Sequence, residues 1–390
     1  MRNAMNPFVF NTTASIVFQP GAAARLGDFA RKKLGERVLF VTDPGLRGLG
    51  LCDPAIRSLE EANCVVTVFD RVEADPSLAT LLSAVDSGKQ ADVTGVVGFG
   101  GGSSLDVAKL VALLIGSGEA LDAAWGVANA KGPRLPLVLV PTTAGTGSEV
   151  TPVSIITVDG DEKRGVSSPI ILPDVAVLDP ELTLGLPPAI TAATGVDAMV
   201  HAIEAYASKS ANNNPLSRML ARQALQLLGA NIERAVFDGR DLEARGAMLL
   251  GSMLAGQAFG NSPVAAVHAL AYPIGGIFHI PHGLSNALVL PHVLRFNAPE
   301  AAGIYAEIAS DAFPHLGAIE GTQGICAGFV EELAHLSARL GLPQRLRDVG
   351  IGEADLPRMA ADAMKQTRLL VNNPRTVGEA DALAIYRAAW

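Results

Sequence analysis

Residues 94–109 read TGVVGFGGGSSLDVAK, and this stretch decides the fold class. TGVVGFG is a short apolar run of the kind that forms a buried strand. The glycines after it make a tight loop, and SSLDVAK opens a helix. Such a unit presents free backbone N–H groups at the helix start, where the helix dipole also favours an anion such as a pyrophosphate. It is not the ordinary dinucleotide fingerprint, which opens the first strand–helix unit with G-x-G-x-x-G and places an acidic residue after it. Here the acidic candidate, Asp43, comes earlier, at the end of RVLFVTD (37–43).

Working outward, RVLFVTD, CVVTVFD (64–70) and LPLVLVP (135–141) read as further buried strands. Helical stretches lie between them, near 22–34, 45–62, 77–90 and 104–116. This alternation predicts a mostly parallel sheet with helices on both faces. EVTPVSIITVDG (149–160) and KRGVSSPIILPDVAVLDP (163–180) predict a strand pair and a last strand. After LGLPP (184–188) the period becomes helical: 189–208, 215–236, 241–259, 263–272, 283–296, 299–313 and 318–340, with short helices beyond. The expected division is a Rossmann-like α/β domain over 1–186 and an all-α domain over 187–390.

A chain of 390 residues suits two domains, and 49% hydrophobic content supplies a large core. The net charge of −9 comes with no basic cluster, which argues against nucleic acid and anionic membrane partners. The three cysteines, Cys52, Cys64 and Cys326, are scattered and form no CxxC, as free thiols of a cytoplasmic protein would be. The opening MRNAMNPFVFNTTASIVF carries Pro and Asn where a signal peptide needs an unbroken apolar stretch. Residues 246–278 lack charge, but glycines, prolines and polar residues interrupt them. They read as two buried helices rather than a membrane span.

The second chemical feature is a set of four residues. Asp197 and His201 lie in TGVDAMVHAIEAY, four apart and so on one helix face. His268 lies in AAVHALAYP and His282 in IPHGLSNA. Each histidine alone would pass as structural. Together, one carboxylate and three imidazoles make a divalent-metal shell for iron, zinc or a relative. Glu204 shares the face of Asp197 and His201, where it can support a ligand.

The third is PTTAGTGSEVT (141–151), after another strand. Taken alone it could be a turn whose threonines bond their own backbone. At the carboxyl end of a parallel strand, beside a second glycine loop, it suits contacts to phosphate and ribose.

GGGSSLDVAK, PTTAGTGSE, TGVDAMVHAIEAY, HALAYPIGG and PHGLSNALVLPHV together resemble the iron-containing (group III) alcohol dehydrogenase family, from about Phe8 to the final NNPRTVGEADALAIYRAAW. The resemblance implies an α/β nucleotide domain, a helical domain, and an active site in the cleft between them. It implies Fe²⁺, or sometimes Zn²⁺, on Asp197, His201, His268 and His282, and hydride passing between a nicotinamide and an alcohol or aldehyde carbon. It assigns Gly101, Gly102 and Ser103 to the pyrophosphate, and Thr142, Thr143 and Thr146 to the adenosine and phosphate region. Asp43 falls at the adenosine ribose, where its charge favours NAD over NADP; capping the helix after Pro44 is its other role. Asp75 aligns with a cofactor contact. Lys163 aligns with a lysine near the ribose, or is a solvated lysine of the DGDEKRG turn.

Several family members carry a second histidine four residues after the first, as HxxxH. Here that position is Tyr272, whose ordinary pKa near 10 suits a proton relay less well. His279, in FHIPHG, is a candidate substitute. Phe259 aligns with a pocket phenylalanine, so Phe259 and Tyr272 are expected to line the substrate channel. His292 reads as a buried helix histidine. The expected partners are a small alcohol or aldehyde and further copies of the chain, as a homodimer or larger. A metal- and NAD-dependent lyase resembling dehydroquinate synthase, a maleylacetate reductase and a 4-hydroxybutyrate dehydrogenase are the competing readings.

Overall fold

The computed structural model describes residues 7–158 and 162–390. The first six residues, read above for a leader, and residues 159–161 lie outside it. The described chain divides into two compact units. One is Asn11–Gly185. The other begins at Leu186 and is joined by the residues just before Asn11, where Val9 and Asn212 exchange two hydrogen bonds of 2.9 Å.

The first unit contains β1 (Ser15–Phe18), α1 (Leu26–Leu34), β2 (Arg37–Val41), α2 (Pro44–Gly48), α3 (Asp53–Glu61), β3 (Val65–Phe69), α4 (Leu78–Gln90), β4 (Gly95–Gly100), α5 (Gly102–Ser117), α6 (Leu121–Ala124), β5 (Gly126–Val127), β6 (Leu137–Pro141), β7 (Val153–Val158), β8 (Glu162–Ser167) and β9 (Val175–Leu178). Six strands form one parallel sheet in the order β1-β9-β6-β4-β2-β3. Alternation along each strand builds two cores, because successive side chains point to opposite faces. Leu39, Val41, Val96, Leu137 and Leu139 pack under α4 and α5. Val38, Phe40, Val97, Phe99, Val138 and Val140 pack on the other face, with residues of α1 and α3. Both faces are covered, so the strands read as continuous apolar runs. The expected strand pair is the antiparallel hairpin β7–β8, in a small second sheet with β5.

The second unit contains α7 (Pro188–Ala207), α8 (Pro215–Phe237), α9 (Leu242–Asn261), α10 (Ala266–Phe278), α11 (His282–Ala312), α12 (Thr322–Arg339), α13 (Leu356–Ala363), α14 (Thr367–Leu370) and α15 (Glu379–Ala389). Local chemistry sets several starts. Asn214 and Asp241 cap α8 and α9 by accepting from Ser217 N and Ala244 N, and Pro occupies the first turn of α7 and α8. Among the described residues, no helix is long and apolar enough to cross a membrane.

Three expectations are corrected. The edge strand β1 was not anticipated in ASIVF. The helix expected over 45–62 is two helices, α2 and α3, the second with Pro54 in its first turn. Conversely, the two helices expected over 283–296 and 299–313 are one, α11, running through Pro291 and Pro299. An interior proline costs roughly 3 kcal/mol. Here α11 packs against α7, α8, α10 and α12, and that burial keeps it continuous.

Candidate metal centre and nucleotide loops

α7 is apolar almost all round and is buried along most of its length. Three of its residues, Asp197, His201 and Glu204, are nonetheless acidic or basic, at 2%, 4% and 5% exposure. Their spacing sets them on one face. α10 brings His268 to that face from its first turn, and α11 brings His282 as its first residue. One donor atom from each of Asp197, His201, His268 and His282 lies within 4.8 Å of all the others. The four residues singled out in the sequence therefore converge. A carboxylate and three imidazoles at this spacing fit a divalent cation such as Fe²⁺ or Zn²⁺.

Glu204 orients His268. It accepts from Ala265 N (3.0 Å) and Val267 N (2.7 Å), the unsatisfied N–H groups at the start of α10. It also lies 2.6 Å from His268 Nδ1. A carboxylate there holds the proton on Nδ1 and leaves the Nε2 lone pair for the site. Burial alone would raise the Asp197 carboxyl; His201, His282 and His268, with the Asn286 amide, outweigh it and hold the group below its ordinary value.

Gly283, in the PHG turn, permits the approach of α11. A Cβ there would lie 2.4 Å from the Ala193 carbonyl oxygen of α7. Phe259 stacks on His201 at 4.3 Å between ring centroids, and Tyr272 lies 6.2 Å from His282. Both thus border the ligands. His279 is exposed, caps α10 in a left-handed conformation, and is not in the four-residue group. His292 lies further along α11, half-buried, and burial lowers its imidazole to about 4.

In the other unit, β4 and β6 are neighbours, with Gly100 opposite Pro141. Their two loops interlock. Thr142 N donates to Gly100 O (3.0 Å), and a Cβ on Gly102 would come within 2.9 Å of Thr146 Cγ2. Gly101 caps α5, with Thr143 beside it. Gly101, Gly102, Ser103, Thr143 and Thr146 are partly exposed, and Thr142 is buried. Asp43, at the end of neighbouring β2, caps α2 by accepting from Leu46 N at 2.9 Å. Asp75 and Lys163 form an ion pair with each other. Lys163 lies on β8 with its side chain only 18% exposed, so it is not a solvated turn residue.

The same motifs hold a network that sequence reasoning missed. Lys109 is fully buried and donates to Ser148 Oγ (2.7 Å) and Val153 O (2.7 Å). Ser148 Oγ donates to Asp106 Oδ1 (2.6 Å), and Ile155 N donates to Asp106 Oδ2 (2.8 Å). Burial raises the Asp106 carboxyl and lowers the Lys109 ammonium. It pushes neighbouring Glu149 up to about 7. The three-residue spacing of Asp106 and Lys109 was the only signal.

Two family descriptions match the chain: iron-containing alcohol dehydrogenase over residues 13–180, and the C-terminal part of the Fe-containing alcohol dehydrogenase family over residues 191–390. The chain belongs to the iron-containing alcohol dehydrogenase family. A long-chain-alcohol dehydrogenase of Geobacillus thermodenitrificans is 40% identical across 97% of both chains. A solved 1,3-propanediol oxidoreductase is 36% identical, with a TM-score of 0.94 over 98% of this chain and 100% of that one. A sulfoacetaldehyde reductase from Bifidobacterium kashiwanohense, solved with NAD⁺, is 28% identical with a TM-score of 0.86 over 98% of each chain. This member of the family is therefore an oxidoreductase of the alcohol dehydrogenase and aldehyde reductase type, and the lyase reading is not favoured.

Two substitutions test this geometry. Glu149 titrates above its ordinary value of 4.5, so the folded protein keeps a proton that the unfolded chain has released. Its contribution to stability is complete below about pH 4.5 and is lost as pH rises through about 7. Glu149→Gln should remove that slope and be the more stable protein above pH 7, by up to about 3 kcal/mol. Urea denaturation across this range reads it; a pH-independent difference would mean Glu149 is ionised throughout. Gly283→Ala should destabilise by roughly 1–3 kcal/mol, because the clash is with backbone that cannot turn aside. An unchanged unfolding midpoint would show that the start of α11 shifts freely.

Proposed function

We propose that this protein is a divalent-metal-dependent, NAD(H)-linked alcohol dehydrogenase and aldehyde reductase for small substrates. The observation that carries the reading is the convergence of Asp197, His201, His268 and His282 in a member of this family. These four residues would hold the cation, Fe²⁺ or Zn²⁺. When bound there it supplies Lewis acidity toward an alcohol or carbonyl oxygen. Glu204 keeps His268 in the ligating tautomer. The rings of Phe259 and Tyr272 border the ligands and limit the room for a substrate chain.

The reading gives the nucleotide to the interlocked loops. Gly101, Gly102 and Ser103 offer N–H groups to the pyrophosphate at the start of α5, with Thr142, Thr143 and Thr146 beside them. Asp43 can bond a ribose hydroxyl while still capping α2, and its charge disfavours a 2′-phosphate. Asp75 and Lys163 enter as a pair. The relative solved with NAD⁺ supports this choice of cofactor. Three buried free cysteines support a reducing, cytoplasmic setting.

NADH oxidation against a panel of short aldehydes, diol-derived aldehydes and sulfoacetaldehyde, with added Fe²⁺ or Zn²⁺, tests the activity; no turnover with any metal and substrate would sink it. His268→Ala should lose most bound metal and nearly all turnover, and equal metal content by elemental analysis would refute the ligand set. Asp43→Gly should shift kcat/KM toward NADPH roughly ten- to a hundredfold. A like charge ~4 Å away costs about 1–3 kcal/mol after screening. A lower stability with an unchanged cofactor ratio would leave Asp43 as a helix cap alone.

A further inference from the structure

The polar group that touches most of the metal ligands is not itself one of the four. Asn286 lies four residues after His282 on α11, so it shares that residue's face, and it is fully buried. Its Nδ2 is 2.6 Å from Asp197 Oδ1, 3.3 Å from His268 Nε2 and 3.3 Å from His282 Nε2. Its Oδ1 has no hydrogen-bond partner among the described residues. A buried amide normally satisfies both ends. Here the arrangement favours the amino end, which faces the acceptor atoms.

The chemistry of those acceptors explains the choice. Glu204 holds the His268 proton on Nδ1, so Nε2 presents a lone pair. Asp197 presents a carboxylate. Crowded into buried space, such donors repel one another and turn apart unless an N–H group lies among them. Asn286 supplies two N–H groups for three acceptors, and the short bond goes to Asp197.

We propose that Asn286 is a positioning residue of the metal centre: its short bond fixes the Asp197 carboxylate, whose remaining lone pairs stay open to the divalent cation, and so raises affinity for it, while the two longer contacts to Nε2 give way when those lone pairs take the cation. The inference rests on the metal reading above. A group that orients a ligand through its hydrogen bond is worth about 10–100-fold in metal affinity.

The test uses the full-length, metal-stripped protein and Zn²⁺ or Co²⁺, titrated against a chromophoric chelator. Wild type should bind one ion per chain; no binding by wild type would overturn the metal reading itself. Asn286→Leu keeps the bulk and removes the N–H. It should weaken Zn²⁺ binding about 10–100-fold and alter the Co²⁺ visible absorption. Asn286→Ala carries the same expectation if the leucine variant does not fold, as judged by circular dichroism. Asn286→Ser, which restores a donor, should recover part of the loss. Wild-type or tighter affinity in the leucine and alanine variants would overturn the proposal. So would a serine variant no better than alanine, since bulk rather than the N–H would then be the cause.

Discussion

A charged or polar group taken out of water has to be paired, and α7 carries three such groups into an apolar helical core. Asp197, His201 and Glu204 lie on one face of a helix whose other residues are mostly alanine, valine, isoleucine and methionine. Much of the second unit is arranged around this demand. The first turn of α10 lends its unsatisfied N–H groups to Glu204, and Glu204 in turn orients His268. The start of α11 approaches α7 closely enough to place His282 and Asn286 against Asp197, and Gly283 removes the side chain that would block it. Burial that would otherwise be costly brings Asp197, His201, His268 and His282 together in a group that could hold a metal ion.

The first unit solves a related problem with different groups. Lys109 is fully buried, and its ammonium needs acceptors. It finds them in Ser148 and the Val153 carbonyl, while Asp106 ties Ser148 to the start of β7 through Ile155 N. One network thus fastens the helix after the glycine loop to the loop after β6. The partly exposed glycines and threonines at the rim lie above this network. In both units, buried polar groups fasten neighbouring elements together.

The strands β2, β3, β4 and β6 were legible because apolar runs of this length, bounded by turn residues, have one economical use. Asp197 and His201 were legible from their spacing, and His268 and His282 from their motifs. The helix break expected near Pro299 was not there, because local cost was outweighed by packing on four neighbouring helices. Asn286 was invisible: nothing local distinguishes an asparagine whose partner lies 89 residues away. Lys109 looked like an ordinary helix lysine, since its acceptors are 39 and 44 residues further on. Asp75 and Lys163 were each read singly; Thr157 of β7 bridges to Ser77, just before α4, and pairs with Lys163 of β8, which is what joins them.

By itself, the amino-acid sequence determined the alternation of strand and helix and the helical second half, and it singled out four candidate donors. The first two follow from short apolar runs and the helical period, Asp197 and His201 from a spacing of four, and His268 and His282 from their local motifs. Only the tertiary structure decided that α7, α10 and α11 meet where their donors lie, that α11 continues through two prolines, and which side chains hold the ligands and loops in place. Those outcomes depend on contacts between residues tens of positions apart. They were settled by close packing and by the need to pair most buried polar groups at once, which no local pattern encodes.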